Sequence, residues 1–124
     1  MLNTQTIVTA TDITKRDGIS FQAKILHVDM EPINRALKGR TEVVYYAELI
    51  DIPYSDVLMQ GWRIYCRICD VCEKCVITSL SKDYLTVEKY NPFQKYIPYQ
   101  QKYTIQYSDI ESMLLSENAY SFKM

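Results

Sequence analysis

The sequence predicts a mainly β protein with minor α content, folded as one small β-barrel with one or two short helices. Three observations support this prediction. β-branched and aromatic residues, including 11 tyrosines, dominate the second half of the chain, and these residues favour strands. Short apolar runs alternate with turn residues, as in barrels and sandwiches. A chain of 124 residues also has the length of one domain.

The composition is that of a single globular domain. The chain is 48% hydrophobic and 23% charged, which is ordinary for a folded protein and argues against disorder. We therefore treat residues 1–124 as one domain. Within it, residues 61–113 are expected to form the barrel core, residues 1–60 the N-terminal strands plus a short helix, and residues 114–124 a C-terminal tail.

The N-terminal part opens with two predicted strands. Ile7–Ala10 has the composition of a short strand, and Lys15–Gly18 has that of a turn. Apolar and polar residues then alternate from Ile19 to about Val28, which is the pattern of a half-buried strand.

A helix is predicted next, at Glu31–Lys38. Pro32 would lie in its first turn, where a missing N–H costs nothing, and Gly39 would end it. Thr41–Ile52 is rich in β-branched and aromatic residues and is predicted as a strand, although Ala47–Leu49 also tolerates a helix. Pro53 ends this element because it cannot donate to a strand ladder.

The second half carries the densest strand signal. Strands are predicted at Trp62–Ile68, Cys75–Leu80, Tyr84–Tyr90 and Lys102–Tyr107, because apolar residues there recur with a period of two. A long loop, Asn91–Gln101, joins the third strand of this set to the fourth.

A short helical turn is predicted at Ser108–Glu111. Ser108 would be the cap, and Glu111, three residues later, would complete a capping box. Met113–Leu115 would dock this turn on the end of the barrel. A strand series that ends in a Ser-Asp-Ile turn resembles the small SH3-like or Sm-like barrel. An OB-type barrel is the alternative, with Ile19–Val28 and Thr41–Ile52 as its first strands. Neither resemblance implies an activity.

Cysteines occupy every third position of one segment: Cys66, Cys69, Cys72 and Cys75. Thiolates at this density suit zinc or an iron–sulfur cluster. Zinc ribbons, however, keep about a dozen or more residues between their cysteine pairs. If Asp70-Val71 is instead a two-residue hairpin turn, Cys69 faces Cys72 and Cys66 faces Cys75, with the two pairs on opposite faces. Reduced, partly buried thiols are therefore the alternative to a metal site.

Aromatic and basic residues interleave near the long loop, which suggests a binding surface. Its predicted members are Tyr90, Phe93, Lys95, Tyr96, Tyr99 and Lys102. Such residues stack bases and hold phosphates in single-strand binders. Arg35, Lys38 and Arg40 form a second basic cluster. The net charge is −1, which gives no overall attraction for a polyanion. Tyrosines that brace the loop and lysines that face solvent are therefore the alternative.

The sequence gives little support for catalysis or for a membrane location. It carries 3 glycines and one histidine, His27, with no glycine-rich phosphate loop and no nucleophile–base pattern. We therefore expect a protein that is not an enzyme. We also expect no membrane span, no secretory signal, and a reducing location in the cytoplasm or in a virion assembled there.

Three functions remain from the sequence. The first is a non-catalytic interaction or assembly module that binds a protein partner or its own copies, such as a structural subunit of a phage or virus particle. Tyrosine, which is common at contact surfaces, motivates it. The second is an OB-type protein that binds single-stranded nucleic acid. The third is a small cysteine-rich zinc or redox protein.

Overall fold

The protein is a mainly β fold built on one antiparallel sheet. The computed structural model describes residues 1–32, 40–90 and 100–124. Within these residues, nine strands form a single sheet in the order β7-β6-β5-β4-β8-β3-β2-β1-β9. In chain order the strands are β1 (Ile7–Asp12), β2 (Ser20–Pro32), β3 (Thr41–Leu49), β4 (Arg63–Ile68), β5 (Val71–Leu80), β6 (Tyr84–Lys89), β7 (Lys102–Gln106), β8 (Ile110–Ser116) and β9 (Tyr120–Lys123).

The predicted strands of both halves are confirmed, but the helix at Glu31–Lys38 is wrong at its start. Glu31 and Pro32 end strand β2 and pair with Glu42 and Thr41 of β3. Pro32 is tolerated there because it is the last residue of the strand. The rest of the predicted helix lies outside the described residues.

The predicted helical turn after Lys102–Tyr107 is replaced by a shorter one. A 3-10 turn spans Tyr107–Asp109, and Ile110 already begins strand β8. The Gln106 N–H donates to Asp109 Oδ2 at 3.0 Å, so Asp109 rather than Glu111 closes the capping contact. Another 3-10 turn, at Tyr54–Asp56, precedes β4. The described residues contain no α-helix.

Closure of the barrel is not confirmed, because β7 and β9 end the sheet and do not pair with each other. At the β9 edge, aromatic side chains meet instead. The Trp62 and Tyr120 ring centroids lie 5.5 Å apart, and the Phe21 and Trp62 centroids lie 5.9 Å apart. The β9 edge is therefore joined to the start of β4 by side-chain packing rather than by a strand ladder.

Most of the apolar side chains share one core on the inner face of the sheet. The largest fully buried ones are Tyr45, Ile25, Ile64, Ile77, Leu85, Met113 and Leu115. A small second cluster of Val44, Tyr46 and Leu114 lies apart from this core, with Tyr65 packed against it. Residues on both faces of the central strands are thus buried.

Because of an irregularity in β2, the long β2–β3 hairpin contributes side chains to both faces of the sheet. The register with β3 shifts between Ile25 and His27. A bulge of this kind bends the strand and changes which side chains face inward. Beyond it, His27 pairs with Tyr46, and Glu31 is carried to the side of the sheet that holds Tyr46. Glu31 is 3% exposed there.

The C-terminal residues are part of the sheet. Strand β9 pairs with β1 from Thr9↔Lys123 to Asp12↔Tyr120. The prediction of a C-terminal tail at residues 114–124 is wrong, because this segment completes β8 and forms β9. Gly18 is required nearby, because a Cβ at this position would lie 1.8 Å from the Asp12 carbonyl oxygen.

Candidate binding groove

The structure places part of the predicted aromatic–basic surface in a groove. Tyr90 lines this groove, whereas Lys102 begins strand β7 beyond its lining. Arg40 is exposed in front of β3. The remaining predicted surface residues, Phe93, Lys95, Tyr96 and Tyr99, lie outside the described residues, as do Arg35 and Lys38.

The groove has a volume of about 580 Å³ and lies where β5 begins, β6 ends and β7 begins. We call it the tyrosine groove. Three tyrosines, two glutamines and a small number of charged side chains form its walls. Its lining consists of Tyr65, Cys72, Glu73, Lys74, Lys89, Tyr90, Gln100, Gln101 and Tyr103.

Strand pairing brings these residues together from distant parts of the chain. Tyr65 of β4 faces Lys74 of β5, and the Tyr90 N–H donates to the Lys74 carbonyl at 2.8 Å. Tyr103 of β7 faces Val87 of β6. The Gln100 side chain donates to the Lys89 carbonyl at 2.6 Å, so the entry to β7 is fixed against the end of β6.

The first groove lysine, Lys74, is already paired. Its ammonium donates to Glu31 Oε1, whose carboxylate is buried. Burial opposes the charged form, but the bonds with Glu31 and Tyr46 outweigh it and raise the pKa of Lys74. Lys74 also lies 6.0 Å from the centroid of the Tyr46 ring. The Lys74 ammonium is therefore occupied by Glu31 and Tyr46 and does not provide a free positive charge in the groove.

The second groove lysine, Lys89, is also paired. Its Nζ lies 3.1 Å from Glu73 Oε2 and 5.4 Å from the centroid of the Tyr103 ring. The hydrogen bond with Glu73 raises the pKa of Lys89. Each lysine of the groove thus has a carboxylate partner, and the lining is close to electrically neutral.

A partly buried charge network, centred on the buried Glu31, supports the groove from behind. Arg63 lies 3.6 Å from Glu31 Oε2 and 3.1 Å from Glu42 Oε1. The Arg63 guanidinium also lies 5.1 Å from the centroid of the Tyr90 ring. Strands β2, β3, β4 and β5 each contribute one charge to this network. Tyr90 is held in place by it, because the arginine contacts both the network and the tyrosine.

A smaller cleft continues along the same side of the molecule. It has a volume of about 270 Å³ and lies between strand β7 and the β4–β5 turn. Tyr103, Thr104 and Ile105 form one wall. Arg67–Asp70 and Asp109 form the rest. We call it the turn cleft. It meets the tyrosine groove at Tyr103, which lines both.

The cysteine segment forms the expected hairpin, with its turn one residue earlier than predicted. Cys69 and Asp70 are the turn residues, with φ of 50° and 66°, which suits a type I′ turn. Arg67 therefore faces Cys72, and Cys66 faces Glu73. The predicted pairings of Cys69 with Cys72 and of Cys66 with Cys75 are wrong by this one-residue shift.

Two of the four sulfurs come together in the core. Cys66 and Cys75 are both buried, Cys72 is half-buried and Cys69 is exposed. A hydrogen bond with Cys75, together with burial, raises the pKa of the Cys66 thiol. Nowhere in residues 1–32, 40–90 and 100–124 do three or more His, Cys, Asp or Glu side chains gather as metal ligands would. Zinc at these four cysteines stays a prediction.

Sequence reasoning missed several groove residues. Tyr65, Gln100 and Gln101 were not singled out, and Glu31 was placed in a helix. The alternation along β4 was a usable signal, since Tyr65 lies on the face opposite Ile64 and Cys66. The ion pair between Glu31 and Lys74 could not be predicted from a sequence pattern, because it depends on how the β2–β3 and β4–β5 hairpins are placed in the sheet.

Comparisons with known proteins do not assign this chain to a family. The chain matches no protein-family model, and neither the curated proteins nor the solved structures give a significant match. No helix in the described part of the chain is long and apolar enough to cross a lipid bilayer.

Proposed function

We propose that this protein is a non-catalytic interaction module that binds an extended segment of a protein partner in the tyrosine groove. The charge pairing of the groove carries this proposal. Lys74 is paired with Glu31 and Lys89 with Glu73, so the lining presents tyrosine and glutamine side chains without a free excess of positive charge.

A lining of this kind suits a protein segment better than a nucleic acid strand. Tyrosine offers an apolar ring and a hydroxyl, and it is enriched where proteins contact each other. Binding to single-stranded nucleic acid draws much of its affinity from unpaired basic residues along the phosphates. Of the described groove residues, both lysines are engaged by carboxylates on the same chain.

The course of strands β4 to β8 supports an SH3-like arrangement within this proposal. β4, β5 and β6 follow one another as neighbours, β7 pairs with β6, and β8 pairs with β4. Only the 3-10 turn Tyr107–Asp109 separates β7 from β8. The last strand of this set, β8, thus pairs with the first strand, β4, as in a small, partly open barrel. Such a module would act as a subunit of a larger assembly, for example a phage or virus particle.

Selection of peptides from a randomised display library on the intact protein tests the proposal. We expect peptides whose binding, measured by isothermal titration calorimetry, weakens about tenfold or more in Tyr90→Ser and Tyr65→Ser, because interface tyrosines carry much of the binding energy. Tyr84→Ser is the matched control, since Tyr84 is an exposed tyrosine of β6 outside the groove. Its affinity should stay within about twofold of the wild type.

Two outcomes would overturn the proposal. One is a selection that yields no peptide sensitive to Tyr65 or Tyr90. The other is tight binding of an oligothymidylate at low salt that is lost in Lys89→Gln, because this would show a phosphate contact made by a groove lysine.

A further inference from the structure

The edge strand β7 directs a defined set of backbone groups away from the sheet, beside the tyrosine groove and the turn cleft. In an antiparallel sheet, successive residues of a strand direct their N–H and C=O groups alternately to its two neighbours. In a strand without a bulge, the direction at one residue therefore fixes the direction along the strand, and the register shift between β5 and β6 adds its extra residue to β5. At an end strand, every second residue points away from the sheet.

A turn contact fixes this alternation for β6. The Ser81 N–H donates to the Tyr84 carbonyl at 2.9 Å, so Tyr84 points toward β5. The Tyr90 N–H, six residues later, also donates to β5, at the Lys74 carbonyl. The intervening odd-numbered residues, Leu85 and Val87, therefore point toward β7.

The register between β6 and β7 fixes the same alternation in β7. Leu85 faces Ile105, and Val87 faces Tyr103, so Ile105 and Tyr103 direct their backbone groups to β6. Lys102, Thr104 and Gln106 then direct theirs away from the sheet. The outward Gln106 N–H is already bonded to Asp109 Oδ2 at 3.0 Å. Within the described residues, this leaves Lys102 and Thr104 with outward N–H and C=O groups open to a partner.

Both openings described above border this edge. The tyrosine groove reaches it at Gln100, Gln101 and Tyr103, and the turn cleft reaches it from Tyr103 to Ile105. Two of the features that commonly block an edge, proline and a bulge, are absent from this strand. Strand β7 contains no proline, and its register with β6 runs without a bulge, whereas natural edges are commonly blocked by such features.

We propose that the partner segment binds as an additional β-strand along β7, with its backbone paired to Lys102 and Thr104. This inference rests on the proposed function, since it concerns how the same partner is held. The occupant is an extended protein segment of about five residues, or about 17 Å, to match the length of β7. Its alternate side chains enter the tyrosine groove beside Tyr103, and backbone hydrogen bonds supply a contact that does not depend on its sequence.

The paired charges in the walls of the two openings agree with a protein occupant. Arg67, in the wall of the turn cleft, lies 3.5 Å from Glu111 Oε1, and the groove lysines are paired as described. A backbone ladder needs N–H and C=O groups at a regular spacing, which a peptide has and a nucleic acid strand lacks.

Amide hydrogen exchange, measured by NMR on the full chain, tests the pairing with a library-selected peptide bound. We expect protection of the Lys102 and Thr104 amides to rise about tenfold or more, because they gain hydrogen-bond acceptors. The Tyr103 and Ile105 amides should change little, since β6 already occupies them. An increase at all four amides, or at none, would overturn the proposal.

A substitution at the same residue gives a second test. Thr104→Pro removes the outward N–H and leaves the ladder to β6 intact, because Thr104 does not donate to β6. We expect peptide affinity to fall about tenfold, and Thr104→Val, which keeps the N–H, to bind within about twofold of the wild type. If Thr104→Pro does not fold, a series of peptides N-methylated at single positions should lose affinity at every second position.

The outcomes separate the two proposals. Peptides that lose affinity in Tyr90→Ser but bind Thr104→Pro normally, or that tolerate N-methylation at every position, would overturn strand addition and leave the groove as the binding site. A library that yields no groove-dependent peptide would overturn both.

Discussion

The two edges of the sheet differ in what lies beside them. At the β9 edge, Tyr120 packs against Trp62 and Phe21, and the residues before β4 cover the start of the strand. At the β7 edge, the tyrosine groove and the turn cleft lie beside the strand and share Tyr103, and Lys102 and Thr104 direct their backbone groups away from the sheet. Both edges end the same sheet, but among residues 1–32, 40–90 and 100–124 aromatic side chains close only the β9 edge.

This difference suggests a division of roles. The β9 edge is held by aromatic contacts between residues that are far apart in sequence, so its closure contributes to stability. The groove beside the β7 edge is lined by paired charges and by partly exposed tyrosines and glutamines, which contribute less to the core. Substitutions at the two edges should therefore separate loss of stability from loss of binding.

The largest effect on stability is expected for Trp62→Ala at the β9 edge. Removing the indole opens a cavity against Phe21 and Tyr120, and we expect the free energy of unfolding to fall by about 3 kcal/mol. Urea denaturation followed by circular dichroism measures this change. The exposed Tyr84 is the control, because Tyr84→Ala should cost about 0.5 kcal/mol or less. Equal losses in the two variants would contradict the role given to Trp62.

A smaller loss is expected for Glu31→Gln, behind the tyrosine groove. The neutral side chain leaves Lys74 and Arg63, both partly buried, without their shared carboxylate. Arg63 keeps Glu42, and Lys74 is 33% exposed, so we expect a cost of about 2 kcal/mol rather than the full cost of an isolated buried charge. Urea denaturation measures it, with Glu111→Gln as the exposed control. A loss no larger than that of the control would show that the network does not support the groove.

The β9 edge should also weaken at alkaline pH. Burial and the nearby Asp12 raise the pKa of Tyr120, and Arg63 only partly opposes them. Because the folded state holds this proton more tightly than the unfolded state, the stabilisation is complete below about pH 10 and is lost as the pH rises further.

Tyr120→Phe keeps the ring and removes that titration. We expect its free energy of unfolding to decline less steeply above about pH 10 than that of the wild type. Thermal denaturation at pH 8 to 11 measures the slopes, with Tyr84→Phe as the control. A slope equal to that of the wild type would show that Tyr120 is not the group responsible.

The smallest effect is expected at the β4–β5 turn, across the turn cleft from β7. Asp70 adopts a φ of 66°, a conformation that glycine takes without strain and that the second position of a type I′ turn requires. We expect Asp70→Gly to raise the free energy of unfolding by about 0.5 kcal/mol. Asp70→Ala is the matched control and should be destabilising. If the glycine variant is no more stable than the alanine variant, the turn type is assigned wrongly.

Much of the strand content could be predicted from the sequence, because period-two patterns report directly on half-buried strands. The segment from Trp62 to Ile68 and the segment from Tyr84 to Tyr90 are examples. The predicted helix start at Glu31–Pro32 was wrong, because a proline that follows a possible N-cap is also typical of the first turn of a helix. Its pairing with Thr41 and Glu42 is a tertiary contact that local propensity does not encode.

The candidate site was predictable only in part. Tyr90 was found because aromatic and basic residues cluster around it in sequence. The pairing of Lys74 with Glu31 was not predicted, and it neutralises a positive charge that the sequence would have left free in the groove. The cysteine hairpin shows the same limit, since shifting the turn by one residue changed which side chains face each other.

The sequence by itself determined that this chain forms strands and turns, because alternation of apolar residues and local turn chemistry act over a few neighbouring residues. Only the tertiary structure decided which edge is closed and which charges are neutralised. Those outcomes depend on side chains 43 and 58 residues apart, as for Lys74 with Glu31 and Trp62 with Tyr120, which meet only once the sheet has curved.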